Sequence, residues 1–134
     1  MPSKSTTRKA KQDLRQGKSP TTAAGEFVHE EIDHVREGKH GARSTKQAIA
    51  IGLSKARRAG VPLKPPAKGK TSTRRSAKRA YEVGQGKRKP RSPSQRRSTA
   101  TKRALRREPK RTASRRALSR QAKSTRRGGR GRSR

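Results

Sequence analysis

The chain has 134 residues, of which 41 are Lys or Arg and 8 are Asp or Glu, so its formal net charge is +33. Only 23% of the residues are hydrophobic and 1% aromatic, which is too little apolar surface to offset the conformational entropy of folding for most of the chain. Without cysteine there are no disulfides or Cys-based zinc sites. No apolar run approaches the roughly 18 to 20 residues of a membrane span, and the first twenty residues lack the apolar segment of a secretory signal, so a cytoplasmic protein is expected. The net charge predicts a polyanionic partner.

Charge divides the chain into three segments. Residues 1–18 carry a net charge of +5, residues 19–63 carry +2 and residues 64–134 carry +26. The nearly neutral middle segment also holds nine of the fifteen Val, Ile, Leu, Met, Phe and Tyr residues. We therefore expect a folded module at 19–63 between a disordered basic tail at 1–18 and a disordered, Arg-rich basic tail at 64–134.

The first half of the module has the apolar periodicity of a helix over about 25–37. Four apolar residues recur on one stripe of a 3.6-residue period, and these are Ala24, Val28, Ile32 and Val35. Gly38 follows as a residue suited to a left-handed helix stop. The pattern predicts one helix that ends at this glycine.

A second helix is predicted over about 45–59. Ser44 followed by Gln47 has the spacing of a capping box, and Gly60 with Pro62 marks the end. On this helix Gly52 and the alanines form a small-residue stripe that would allow another helix to approach closely. The predicted fold class is thus small all-α, an antiparallel helix hairpin flanked by long disordered basic tails.

A module of about 40 residues is marginal as an independently folding unit. Ile51 faces away from the small-residue stripe of the second helix, so it is available for a contact outside the hairpin. We expect either a homodimer through the face of Ile49, Ile51 and Leu53 or folding upon binding.

The second helix also matches part of a helix-turn-helix motif. The glycine-centred core of that motif fits four residues, which are Ala48, Gly52, Leu53 and Ser54. Arg58 then occupies a position that is buried in a helix-turn-helix motif, which does not suit an arginine. The cap at Ser44 and the stop at Gly60 indicate one uninterrupted helix between them. A continuous packing helix is the favoured interpretation.

The stretch HEEIDH at 29–34 invites a metal or catalytic interpretation. His29 and His34 are five residues apart, whereas a zinc-protease helix needs four. No Walker loop, Ser-His-Asp set or strand-linked glycine fingerprint accompanies them. The sequence therefore predicts no metal, no cofactor, no small-molecule substrate and no enzymatic activity.

The loop at 38–41 precedes a helix N-terminus, which is a common place for a phosphate to bind. Lys39, Arg43 and Lys46 would surround such an anion. The competing interpretation, which we favour, is a simple turn between helices.

The C-terminal segment carries arginine doublets and a loose repeat, SAKRAY at 76–81, ATKRAL at 100–105 and ASRRAL at 113–118, where short helices could form on a nucleic acid. Arginine outnumbers lysine there and aromatic residues are nearly lacking, which favours phosphate contact with duplex DNA over base stacking. The Arg-Gly-rich end at 126–132 is similar to RGG-type segments and makes RNA the alternative partner. The candidate nucleic-acid-binding residues are Lys39, Arg43, Lys46, Lys55, Arg57, Arg58, Arg74, Arg75, Lys78, Arg79, Arg96, Arg97, Arg106, Arg107, Arg115, Arg116, Arg126 and Arg127.

The string GEFVHEEIDHVREGKHGARSTKQAIAIGLSKARRAGVPL, residues 25–63, resembles a family of small basic bacterial proteins often labelled "plasmid stabilization protein". The tail at 64–134 is similar in composition to bacterial histone-like and linker-histone tails. Together these resemblances imply a bacterial, nucleoid-associated protein. The expected function is non-enzymatic, largely sequence-nonspecific DNA binding that compacts or bridges DNA; the alternatives are an RNA- or ribosome-associated factor and a protein-interaction adaptor.

Overall fold

A computed structural model of the chain describes residues 3–91 and 94–132, with side chains described as far as 126. Within these ranges all regular secondary structure is helical and there is no strand, so the predicted all-α class is confirmed. The helices are α1 (Lys4–Arg15), α2 (Pro20–Arg36), α3 (Thr45–Arg58), α4 (Thr71–Gly84), α5 (Gln95–Arg107), a short 3₁₀-helix (Arg111–Ala113) and α6 (Arg115–Arg132). None of the helices in the described ranges combines the length and the apolar character that crossing a membrane requires.

Helix α2 begins earlier than the apolar pattern predicts. Ser19 caps it, because its Oγ accepts from the backbone N–H of Thr22 at 3.3 Å, and Pro20 takes the first helical position, where a missing N–H costs nothing. The predicted stop at Gly38 is confirmed by its positive φ of 80°. The Ser-Pro pair is thus a stronger start signal than the glycine at 25.

Helix α3 agrees closely with its predicted bounds of 45–59. Ser44 Oγ accepts from Gln47 N–H at 3.1 Å, while the Gln47 side chain accepts from the backbone N–H of Arg43 at 2.6 Å. Gly60 ends the helix with a φ of 105°. The reciprocal cap therefore forms, shifted by one residue on its return arm.

The described chain divides into two compact units, and the boundary between them falls inside α2 and inside α3. The first comprises Met1–Glu31 and Ala50–Pro93, and the second comprises Ile32–Ile49 and Ser94–Arg134. The first unit combines residues of both basic segments with part of the nearly neutral middle segment, and the second combines the rest of the middle segment with the rest of the C-terminal one. The units therefore do not follow the three segments of the charge pattern.

The first unit has a core built largely from alanine around one phenylalanine. Phe27 is 1% exposed, and its buried neighbours are small enough to bring helices close together. The buried members of this cluster are Ala10, Ala23, Ala24, Phe27, Ala56 and Val61, with Leu14, Leu53, Ala59 and Leu63 packed partly against it.

Close helix packing in the first unit depends on Gly52 of α3. A Cβ added at Gly52 would lie 2.6 Å from Val28 Cα on α2, closer than real Cβ atoms approach. The small-residue stripe predicted for the second helix is therefore where α2 and α3 meet in this unit.

The second unit is held by backbone contacts of the loop before α3. Gly41 N–H donates to Leu105 O at 2.6 Å, and Ala42 N–H donates to Pro109 O at 3.1 Å. Thr45 Oγ1 donates to Thr112 O at 2.6 Å. The chain segment around 105–113 thus pairs with the loop that joins α2 to α3.

The expectation of disordered tails is not confirmed in the described residues, because helices occupy much of both basic segments. In α1 the residues Thr6, Ala10 and Asp13 are buried at helical spacing, and in α4 Ala77 and Ala80 are buried. The first two repeats lie within α4 and α5, and the third runs from the last residue of the 3₁₀-helix into α6. Alanines at helical spacing form much of the buried faces of α1 and α4. In the composition these alanines are outnumbered by cations.

Candidate nucleic-acid interface

Most of the cationic residues that are predicted to bind nucleic acid lie on the surface. Of the eighteen candidates, fifteen are exposed, Lys55 is half-buried and Arg57 is buried. The side chain of Arg127 lies outside the described residues, as do the arginines that follow it in the Arg-Gly-rich end. The exposed candidates are Lys39, Arg43, Lys46, Arg58, Arg74, Arg75, Lys78, Arg79, Arg96, Arg97, Arg106, Arg107, Arg115, Arg116 and Arg126.

Arg57 lies in the interior of the protein and not on its surface. It is 8% exposed, and its guanidinium donates from Nε to Leu63 O at 3.1 Å and from Nη2 to Lys64 O at 3.3 Å. Desolvation by burial lowers the pKa of the Arg57 guanidinium from its ordinary range. The side chain ties the end of α3 to the segment that follows, while its neighbour Arg58 is exposed.

Lys55 is likewise engaged inside the fold. Its Nζ lies 2.6 Å from Oε2 of Glu31, whose side chain is 2% exposed. Glu31 as a whole is 1% exposed, so this carboxylate lies in the interior and not on the surface. The pair joins α2 to α3 within the first unit.

Backbone donors at the end of the loop that is a candidate phosphate site are occupied. Gly41 N–H and Ala42 N–H both donate to carbonyls of the 105–109 segment, so they are not available to an anion. A Cβ added at Gly41 would overlap the carbonyl of Glu108. The loop therefore packs against the 105–109 segment, although Lys39 and Arg43 are exposed.

Helix α1 presents a line of cations that the candidate residues do not include. Lys4, Arg8, Lys11 and Arg15 follow the spacing i, i+4, i+7, i+11 of one helix face, and all are exposed. With Thr7 they line a shallow hollow of about 350 Å³. The same 3.6-residue spacing, applied to basic instead of apolar residues in KSTTRKAKQDLR, would have found this surface.

Contacts at both ends of α1 hold this cationic face in place. Ser3 Oγ accepts from Thr6 N–H at 3.2 Å, and Ser3 N–H donates to Glu30 Oε1 at 2.9 Å. Asp13, the acidic residue of the helix, is 7% exposed and pairs with Lys18 at 3.4 Å. The exposed charges of α1 are consequently all positive.

Helices α5 and α6 are cationic along their described lengths and contain no acidic residue. Ser94 and Ser114 cap them by accepting from Arg97 N–H at 3.5 Å and from Ala117 N–H at 3.1 Å. Helix α5 has no buried residue. Packing therefore stabilises α5 little, and its exposed cations repel one another.

The predicted dimer face is partly used within the chain. Ile49, Ile51 and Leu53 are all half-buried, and Leu53 packs against the alanine-rich core of the first unit. The homodimer itself stays a prediction.

Comparison of the chain with family models, curated proteins and solved structures finds no match. The resemblance of residues 25–63 to the plasmid-stabilization family, and the predicted absence of a metal, a cofactor and enzymatic activity, therefore stay predictions.

Proposed function

We propose that this protein is a non-enzymatic, largely sequence-nonspecific DNA-binding protein, histone-like and nucleoid-associated, that compacts or bridges duplex DNA by neutralising its phosphates. The observation that carries the proposal is the separation of charge between surface and interior. Of the 37 Lys and Arg residues with described side chains, 35 are exposed, whereas Glu37 alone is exposed among the 8 acidic residues.

The acids are engaged within the fold and leave most cations without an internal counter-charge. Glu31 is paired with Lys55, Asp13 is buried, and Glu82 bonds to Arg88 at 3.1 Å. Even exposed Glu37 lies 3.6 Å from Lys39. In the free protein the exposed cations of such a surface repel one another. Binding to phosphates relieves this repulsion and releases the counterions of the nucleic acid.

The aromatic residues support phosphate contact over base stacking. The chain has one Phe, one Tyr and no Trp. Phe27 is 1% exposed in the core, and Tyr81 is half-buried. Because single-strand binders rely on exposed aromatic platforms, the surface favours duplex DNA.

Within this proposal α2 and α3 form an antiparallel hairpin that carries the basic segments. The approach of Gly52 to Val28 and the Lys55–Glu31 ion pair support this arrangement. Helix α5 is marginal in the free protein, since it buries no residue, and it becomes stable when phosphates neutralise its charge.

A salt series with the full chain tests the proposal. Log K for a short DNA duplex is expected to fall linearly with log salt at about 0.9 per phosphate neutralised, and a scrambled duplex of equal length should bind equally well. An affinity independent of salt would overturn the proposal. A structured RNA that displaces the duplex at fixed salt would instead support the RNA-associated alternative.

A further inference from the structure

Helix α4 and the segment after it enclose a small surface hollow within the first unit. The hollow has a volume of about 260 Å³ and is lined by Arg75, Lys78, Arg79, Glu82 and Arg88. Arg75, Lys78, Arg79 and Glu82 follow the spacing i, i+3, i+4, i+7 and therefore lie on one face of α4. Four cations from two parts of the chain thus converge on a single cavity.

Three of these cations have no ion-pair partner among the described residues. Arg75, Lys78 and Arg79 are exposed and carry no hydrogen bond or salt bridge there. Arg88 is held differently, because its Nε lies 3.1 Å from Oε2 of Glu82. This contact uses one of the five donors of the guanidinium and positions the others beside the hollow.

The size and lining of the hollow select the chemistry of its ligand. Pockets for drug-sized organic molecules are larger, roughly 300 to 1,000 Å³, and are lined mainly by hydrophobic and aromatic side chains, whereas every residue that lines this hollow is charged. This hollow has no aromatic side chain on which a base could stack. Arg guanidinium pairs bidentately with phosphate oxygens, and Lys adds a compact positive charge.

We propose that the hollow of Arg75, Lys78, Arg79 and Arg88 is a discrete phosphate-binding site, with Glu82 as the residue that positions Arg88. The inference rests on the proposed function and deepens it, because it assigns the phosphates of the nucleic-acid backbone to a defined cavity instead of to the net charge of the whole surface. Glu82 restricts the site to phosphates that approach from the side of the three unpaired cations.

The test compares two triple variants of the full chain that lower the net charge equally, from +33 to +30. The hollow variant is Arg75→Gln, Lys78→Gln, Arg79→Gln. The matched control removes three exposed cations of the same unit outside the hollow, Lys68→Gln, Lys70→Gln and Arg91→Gln. Circular dichroism verifies that both variants keep the helix content of the unmodified protein.

For a duplex titrated across a salt series, the hollow variant is expected to lose about 2 to 3 from the slope of log K against log salt, and the control less than about 1. Equal losses in the two variants overturn the hollow but leave the proposed function intact. An unmodified chain that binds DNA independently of salt overturns the proposed function itself.

Exchanging the cations at the same positions, Arg75→Lys, Lys78→Arg and Arg79→Lys, keeps the charge at +33 and is expected to keep the slope, because the slope counts neutralised phosphates. A slope as low as that of the hollow variant would contradict the site.

Tripolyphosphate separates the two sources of phosphate. If tripolyphosphate competes with the duplex roughly tenfold more weakly for the hollow variant than for the unmodified protein, free phosphate chains also enter the hollow. If the substitutions change only the binding of the duplex, the hollow is specific to the nucleic-acid backbone. Either result supports phosphate recognition.

Discussion

Lys55 Nζ lies 2.6 Å from Oε2 of Glu31, and the Glu31 side chain is only 2% exposed. A carboxylate at this depth is costly unless a cation and hydrogen bonds compensate for its lost hydration. The pair therefore uses one of the many cations of the chain to hold α2 and α3 together, whereas 35 of the 37 Lys and Arg residues with described side chains are exposed.

Replacing Lys55 with Met keeps the aliphatic packing but removes the charge from Glu31. We expect the free energy of unfolding to fall by about 1 to 3 kcal/mol, measured by urea denaturation followed by circular dichroism. Adding Glu31→Gln should recover part of the loss, since no buried charge then needs a partner. Lys39→Met is the matched control, because Lys39 and Glu37 are both more than half exposed and such pairs contribute little.

Gly52 and Gly25 should respond in opposite directions to alanine. In a helix interior Gly→Ala usually stabilises by about 0.5 to 1 kcal/mol, and Gly25→Ala should do so because nothing lies within 4 Å of its added Cβ. Gly52→Ala should destabilise by about 1 to 3 kcal/mol, because its Cβ would meet the backbone of Val28. Thermal unfolding of both variants checks this, and a stabilising Gly52→Ala would contradict the close packing of α2 on α3.

The parts of the fold that follow from local patterns could be predicted from the sequence. The cap at Ser44, the stops at Gly38 and Gly60 and the small face around Gly52 depend on a few neighbouring residues, and the structure contains all of them. The all-α class follows from the same periodicities.

The remaining features depend on contacts distant in sequence or on alanine. Helix α1 buries Ala10 and Asp13 against the chain, but alanine contributes so little apolar area that composition predicted disorder there. The doublet Arg57-Arg58 looks like two equal surface cations, yet consecutive residues point about 100° apart on a helix, and only the structure tells which one is buried.

Arg57 and Arg58 should therefore separate stability from binding. Arg57→Met removes the two hydrogen bonds to Leu63 O and Lys64 O and should lower the free energy of unfolding by about 1 to 2 kcal/mol with little change in the salt slope for duplex DNA. Arg58→Met should leave stability unchanged and reduce the slope by about 1. A larger slope change for Arg57 than for Arg58 would contradict this division.

The cationic face of α1 should act as a phosphate-binding surface separate from the C-terminal segment. Replacing its four cations with Gln is expected to lower the salt slope by about 3, because they line up over about 16 Å of an anchored helix and face no acid on that helix surface. The full chain is titrated with a short duplex across a salt series. The matched control replaces four exposed lysines outside any helix, Lys64, Lys68, Lys87 and Lys89. Both variants have a net charge of +29 instead of +33, so equal slopes would show that total charge alone governs binding, whereas a lower slope for the α1 variant assigns a defined contact to this helix.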